Sequence, residues 1–262
     1  MIESLHSPHI ARVKALLGSK GAKERRQSGS FVAEGLQCAR EALTTTNGPQ
    51  IETLYVTNAG LLKLSDFDLH QVNVVEVSEP VMHAMASTVT PQGILAICEL
   101  PKRNIAELAA TGSLKVVYLH EIQDPGNAGT ILRTADAMGM DAIITSPRSV
   151  DMFSPKVARS TAGSLWHIPV YEDVDFADLS AQLPAAQSLL LSSHAKKSIL
   201  DVDISGDCIA IFGNEARGVD ASSLSDAAIQ EVTIPMSGRA ESLNLSAAAS
   251  IVMFTLTSEL AG

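Results

Sequence analysis

Apolar and polar positions along the chain fall into two successive patterns. Up to about residue 105, short runs predict a helix from Glu34 to Thr45 and strands at 51–57 (IETLYVT) and 72–78 (VNVVEVS). A helix at 80–88 (PVMHAMAST) and a strand at 94–100 (ILAICEL) follow. From Leu114 onward, six apolar runs (LKVVYLH, DAIIT, HIPVY, SLLLSS, CIAIFG and EVTIPM) alternate with helical segments. Such alternation predicts an α/β fold with a mainly parallel sheet covered by helices. The last segment, AESLNLSAAASIVMFTLTSEL, is Ala-rich and long enough for a terminal helix on that sheet. Pro, Gly and polar residues in PKRNIAELAATGS mark the connection between the patterns, so two α/β domains are expected, 1–105 and 106–262.

Composition supports two real cores: 46% of the residues are hydrophobic and only 4% aromatic. The N-terminus has no continuous apolar stretch of signal-peptide type and no run reaches membrane-spanning length, which implies a cytoplasmic protein with no membrane partner. Cys38, Cys98 and Cys208 are odd in number and far apart, reading as buried free thiols rather than a disulfide framework or a zinc site. No metal is expected.

A net charge of −10 argues against a nucleic-acid binder until its distribution is considered. Residues 1–105 carry ten acids and ten bases, whereas 106–262 carry nineteen acids and nine bases. Arg12, Lys14, Lys20, Lys23, Arg25 and Arg26 crowd into the first 26 residues against Glu3 and Glu24. This basic arm reads equally as a solvated helix and turn or as a phosphate-contacting segment. In the acidic half, Arg148, Lys196, Lys197, Arg217 and Arg239 follow strand ends closely, so positive charge gathers at one sheet edge.

Ligands of parallel α/β sheets bind outside the carboxyl ends of the strands, and the loops there are distinctive. The first is HEIQDPGNAGTILRTADAMG, with Asn127 between two glycines and Arg133 on the following helix; later ones read SSHAKK, FGNEARGVD and PMSGRAESLN. Neither nucleotide-binding signature is present. DPGNAGT lacks the third glycine of G-x-G-x-x-G, and GNEARGVD has Val and Asp where a P-loop needs Lys and Ser or Thr.

Three of these segments, DPGNAGTILRTADAMG, IFGNEARGVD and IPMSGRAESLNLSAAASIVMF, resemble in order and spacing the motifs of the SpoU or TrmH branch of the SPOUT superfamily, RNA ribose 2'-O-methyltransferases. FVAEGLQCAREAL is similar to the start of the ribosomal-protein-like domain that precedes the catalytic domain in many members. The resemblance implies a deep trefoil knot, an exception to the general absence of knots. It implies S-adenosylmethionine (S-adenosyl-L-methionine) as cofactor, held at Gly213, Ile234, Met236, Leu243 and Ser192, although core packing is the plain alternative for Ile234 and Leu243.

It also implies a catalytic role for Arg133, supported by Asn127, Glu215, Ser242 and Asn244. A guanidinium stays protonated, so Arg133 is expected to grip a phosphate and orient the hydroxyl. Glu215 would anchor Asn127 or an arginine, or form a structural ion pair; Ser242 and Asn244 have helix capping as their alternative. Further implications are a homodimer in which Arg133 approaches the partner's cofactor, and RNA contact through Arg12, Lys14, Lys23, Arg25 and Arg26. Ribosomal RNA is the expected substrate and transfer RNA the alternative. Base methylation and an inactive RNA-binding or ribosome-assembly role are the competing functions.

Overall fold

The structure is a computed structural model that describes residues 1–219, 224 and 229–258. Asp220, which closes FGNEARGVD, and Glu259 and Leu260 of the expected terminal helix lie outside the described residues. The chain forms two compact units: Met1–Lys102 with Asp151–His167, and Arg103–Val150 with the chain from Ile168 onward. No helix among the described residues is long and apolar enough to cross a membrane.

The first unit opens with α1 (Pro8–Leu17) and α2 (Gly21–Ser28). Ser7 caps α1 by accepting a hydrogen bond from the His9 amide, with Pro8 at the first helical position, a strong start signal. Ile10, Val13 and Leu16 bury one stripe of α1, and Gly29, at φ 68, ends α2 in the left-handed turn that glycine favours. Then come β1 (Ser30–Glu34), α3 (Leu36–Thr44), β2 (Ile51–Val56), α4 (Asn58–Leu62), β3 (Val74–Glu76), α5 (Glu79–Met85) and β4 (Ile94–Glu99). The strands form a sheet in the order β1-β4-β2-β3, antiparallel except for β2 with β3. The expected helix start at Glu34 is corrected: all of Ser30–Glu34 is a buried strand, and the helix begins only after Gly35 turns the chain at φ 102. Only Phe31, Val32 and Ala33 are apolar there, too short a run for periodicity to separate strand from helix.

In the second unit, β5 (Lys115–Leu119), α6 (Pro125–Ala137) and β6 (Ala142–Thr145) are followed by α7 (Pro155–Ser160), which lies in the returning segment of the first unit. The chain continues through β7 (Val170–Tyr171), α8 (Phe176–Gln182), β8 (Gln187–Leu191), β9 (Cys208–Phe212), β10 (Gln230–Val232) and α9 (Leu245–Ser258). The six expected strands are all present and all parallel, in the order β10-β8-β9-β5-β6-β7. Strand order reverses at the β5–β9 pair, where an open parallel sheet presents its crevice. One sheet face packs Val116, Tyr118, Ile144, Ile209 and Ile211 against Phe176 and Leu179 of α8. Buried Lys115 donates from Nζ to the Leu256 carbonyl in the last turn of α9, a position where a cation suits the helix dipole. All three cysteines are free and buried, as expected, and burial pushes the thiols of Cys38 and Cys208 up to about 11 and about 12.

The return of Asp151–His167 to the first unit was not foreseen from the sequence. Phe153 and Trp166 pack on Phe31 of β1, and the Trp166 indole donates to the Pro49 carbonyl at 2.9 Å. Glu34 ties the segment in: its carboxylate, with only 4% of the side chain exposed, accepts from the amides and hydroxyls of Ser87 and Thr88 and from Arg159 Nη1 at 3.4 Å. Burial raises this carboxyl's pKa, but the Ser87 and Thr88 hydrogen bonds and the Arg159 charge outweigh it, and the net shift is below the ordinary 4.5. Replacing Glu34 with Gln is therefore expected to cost about 3 kcal/mol of stability, by breaking a buried ionic cluster. The folded value being depressed, the contribution is complete above pH 4.5 and lost as pH falls through the folded-state value. Urea unfolding at several pH values should show the two proteins converging in acid.

Candidate active site

Three strand-end loops of the second unit meet at the crevice. After β5, Asp124 caps α6 by accepting from the Asn127 amide at 2.8 Å, with Pro125 at the first helical position. After β9, Asn214 and Gly218 exchange backbone hydrogen bonds, and the Asn214 side chain holds the turn between the amides of Ala216 and Arg217. After β10 the chain runs exposed to Asn244, whose Oδ1 accepts from the Ser246 amide at 2.9 Å and so caps α9.

Glu215 joins these loops. Its carboxylate accepts from the amides of Gln123 and Asp124, the latter at 2.9 Å, and from Asn127 Nδ2 at 3.4 Å. Asn127 Oδ1 in turn accepts from Asn244 Nδ2 at 3.1 Å. A hydrogen-bonded chain Glu215–Asn127–Asn244 thus crosses all three motifs, and it uses both ends of the Asn127 amide, which fixes its orientation. Glu215 anchors Asn127 as one of the two expected alternatives had it, and Asn244 both caps α9 and completes the chain.

Beside this chain lies a cavity of about 150 Å³ lined by Leu191, Ser192, Asn214, Glu215, Ile234, Met236, Ser242 and Leu243 among others. Four of the five expected cofactor residues, Ser192, Ile234, Met236 and Leu243, border it. Met236 and Leu243 are about 40% exposed (41% and 39%), an unusual position for two large apolar side chains unless something covers them. Apolar side chains together with hydroxyl, amide and carboxylate groups suit in chemistry a nucleoside carrying an amino-acid chain, as S-adenosylmethionine does. Gly213, the fifth, is not among the residues lining the cavity. A Cβ there would sit 2.5 Å from the Gly218 carbonyl carbon and 2.7 Å from the Val219 nitrogen. The fold-back of the loop on itself is by itself enough to require a glycine there.

Arg133 is exposed, with no ion-pair or hydrogen-bond partner among the described residues. Six residues beyond Asn127, it lies about 9 Å further along α6 and on a different helix face. It is not among the residues lining the cavity of its own chain. In the basic arm, Lys14, Lys23 and Arg26 are exposed, and Arg12 pairs with Glu52. Arg25 as an RNA contact is corrected: it is buried, donating to the Leu16 carbonyl and to Asp151 Oδ2 at 2.6 Å, so its guanidinium serves the interior of the first unit. Among the described residues no cluster of three or more His, Cys, Asp or Glu side chains could hold a metal.

Residues 115–254 match the SpoU rRNA Methylase family model, and 8–96 match the MRM3-like substrate binding domain. A 23S rRNA (guanosine(2553)-2'-O)-methyltransferase of Bacillus subtilis, RlmP, is 34% identical over 239 residues, covering 89% of this chain and 91% of the relative. The chain belongs to the SpoU rRNA methylase family. A second member, a 23S rRNA (uridine(2479)-2'-O)-methyltransferase of Streptomyces viridochromogenes, is 27% identical over 92% of this chain and 86% of its own length. The crystal structure of an AdoMet-bound rRNA methyltransferase from Sinorhizobium meliloti superposes with a TM-score of 0.86 at 29% identity, covering 99% of this chain and 97% of that one.

Within this SpoU methylase, sequence reasoning missed Gln123 and Asp124, whose backbone amides are gripped by Glu215. No side-chain chemistry marks them, and only the D-P start of a helix, a capping signal, was available. It also missed Asn214, whose Nδ2 donates to the Glu121 carbonyl at 2.8 Å and ties the β9 loop to the β5 loop.

Proposed function

We propose that this chain transfers a methyl group from S-adenosylmethionine to a ribose 2'-hydroxyl of ribosomal RNA, acting as a homodimer. The observation that carries the reading is the Glu215–Asn127–Asn244 chain, which binds three separate loops into one rigid rim around an apolar cavity. When bound, S-adenosylmethionine supplies a methyl group made electrophilic by its sulfonium. Ile234, Met236 and Leu243 would wall it, with Ser192 and Ser242 at the polar side. A ribose hydroxyl is a weak nucleophile, so positioning carries most of the burden on the protein's side. The two-pronged guanidinium of Arg133 suits the phosphate beside the target ribose. Asn127 and Asn244 hold the rim in place. The exposed Lys14, Lys23 and Arg26, with Arg12, give the first unit an RNA-facing surface.

Dimerisation is supported by α9, where Ala247, Ile251, Phe254 and Ser258 form one exposed stripe at helical spacing, with Ile251 39% and Phe254 59% exposed. The neighbouring α6, bonded through Thr134 to Ser250, carries Arg133, Thr130 and Ala137 on its own exposed face. A second copy covering this stripe would bring each Arg133 toward the other subunit's cavity. The knot belongs to the same reading. Phe254→Asp is expected to yield monomers in light scattering, with methyl transfer lost and the fold retained; a dimeric variant would remove this stripe from the interface.

Transfer of labelled methyl to unmodified ribosomal RNA, followed by nuclease mapping and nucleoside analysis, tests the function. A single 2'-O-methylated nucleotide is expected. Label confined to transfer RNA or to a base would overturn the reading.

A further inference from the structure

The second unit holds a charge cluster that this mechanism does not use. Glu121, just after β5, has φ 51, and Arg148, just after β6, has φ 67. A non-glycine residue at positive φ is uncommon, and such strain persists only where its surroundings over-determine it, typically at functional sites. Here they do. The Glu121 amide donates to Ser146 Oγ at 2.7 Å, and Gln123 Nε2 donates to the carbonyls of Glu121 and Arg148. Both left-handed residues are thereby fixed to the loop that Glu215 grips.

The result is a fork of two arginines. The Glu121 carboxylate, 13% exposed, accepts from Arg148 through one oxygen and from Arg217 at 2.8 Å through the other, while the two guanidinium-bearing side chains are 79% and 72% exposed. Exposed ion pairs of this kind are worth about 0–1 kcal/mol, too little to explain two strained residues. One carboxylate cancels one of the two positive charges, and each guanidinium keeps most of its five N–H donors for solvent. Glu121 and Arg148 line a cavity of about 570 Å³ with His120, Phe176, Asp175 and Asp178. Asp175 and Asp178 in that lining disfavour an anion inside the cavity and leave the arginine rim as its place. Burial lowers the His120 pKa, and the two arginines lower it further against the opposing pull of Glu121.

We propose that Arg148 and Arg217, set side by side by Glu121, clamp a backbone phosphodiester of the RNA substrate at the rim of the active crevice. Glu121 is a positioning residue that pre-orders the fork, so less side-chain freedom is lost on binding. The proposal rests on the reading of the chain as an RNA methyltransferase. It adds a site on the catalytic unit, apart from the basic arm.

The test uses the full-length protein and the RNA it methylates. Arg148→Ala and Arg217→Ala should each raise KM for RNA about tenfold and lower the slope of log affinity against log salt by about one, with affinity for S-adenosylmethionine and thermal midpoint unchanged. Glu121→Gln gives a sign test. Removing an acid beside two arginines should tighten RNA binding if Glu121 only repels RNA, whereas loss of pre-ordering should raise KM several-fold. An unchanged KM and salt slope in both arginine variants, or a Glu121→Gln protein that binds RNA as well as or better than wild type, would overturn the clamp. Wild-type protein that methylates no RNA would instead overturn the functional reading beneath it.

Discussion

Arg133→Ala is expected to reduce kcat for RNA methylation by about 10²–10³-fold, the scale on which a group that orients or stabilises the reacting centre acts. Affinity for S-adenosylmethionine should stay within about twofold, because Arg133 lies outside the residues lining the cavity of its own chain and no described residue pairs with it. Lys in its place should recover little, since a point charge cannot reproduce the two-pronged grip of a guanidinium on phosphate. A sharper version uses mixed dimers. If Arg133 serves the partner's site, a chain lacking Arg133 and a chain unable to bind cofactor should regain activity when combined, because one of the two composite sites then has both parts. Activity in Arg133→Ala close to wild type, measured by single-turnover methyl transfer, would remove Arg133 from its assigned role.

The same geometry explains what could be read from the residues alone. Strands buried on both faces by helices produce uninterrupted apolar runs, so VVYL, AII and IAIF declared the parallel sheet without alternation to blur them. SFVAE has only three apolar residues, between Ser30 and Glu34, with a helix immediately after it, and its strand nature depends on pairing with β4 more than sixty positions away. The return of Asp151–His167 was illegible for a related reason: its anchors are Phe31, Pro49 and Glu34, all distant in sequence. Arg25 shows the cost for site reading. Within the arm it is one more cation, and only Asp151, 126 positions on, reveals it as an interior residue. The rim of the candidate site was legible where side chains carry it, at Asn127, Glu215 and Asn244, and silent where backbone amides do, at Gln123 and Asp124.

Two glycines five residues apart should respond in opposite ways, and the contrast separates loop packing from ligand contact. Gly213→Ala puts a methyl group 2.5 Å from the Gly218 carbonyl carbon, a collision with backbone that no rotamer relieves. The turn must open, loosening the Asn214–Gly218 pair and shifting Glu215, which holds Gln123, Asp124 and Asn127. Affinity for S-adenosylmethionine should fall at least tenfold, about 1.4 kcal/mol, by titration calorimetry, with methyl transfer falling further because the rim moves with the loop. Gly218 has φ 63 but open space where a Cβ would stand. Asn tolerates that conformation, so Gly218→Asn should bind cofactor within about threefold of wild type. Equal losses in both variants would mean that the loop tolerates no side chain anywhere. Loss only at Gly213 would place the requirement where the backbone doubles back, and would show that the cofactor site is built by the packing of its own loop before any ligand arrives.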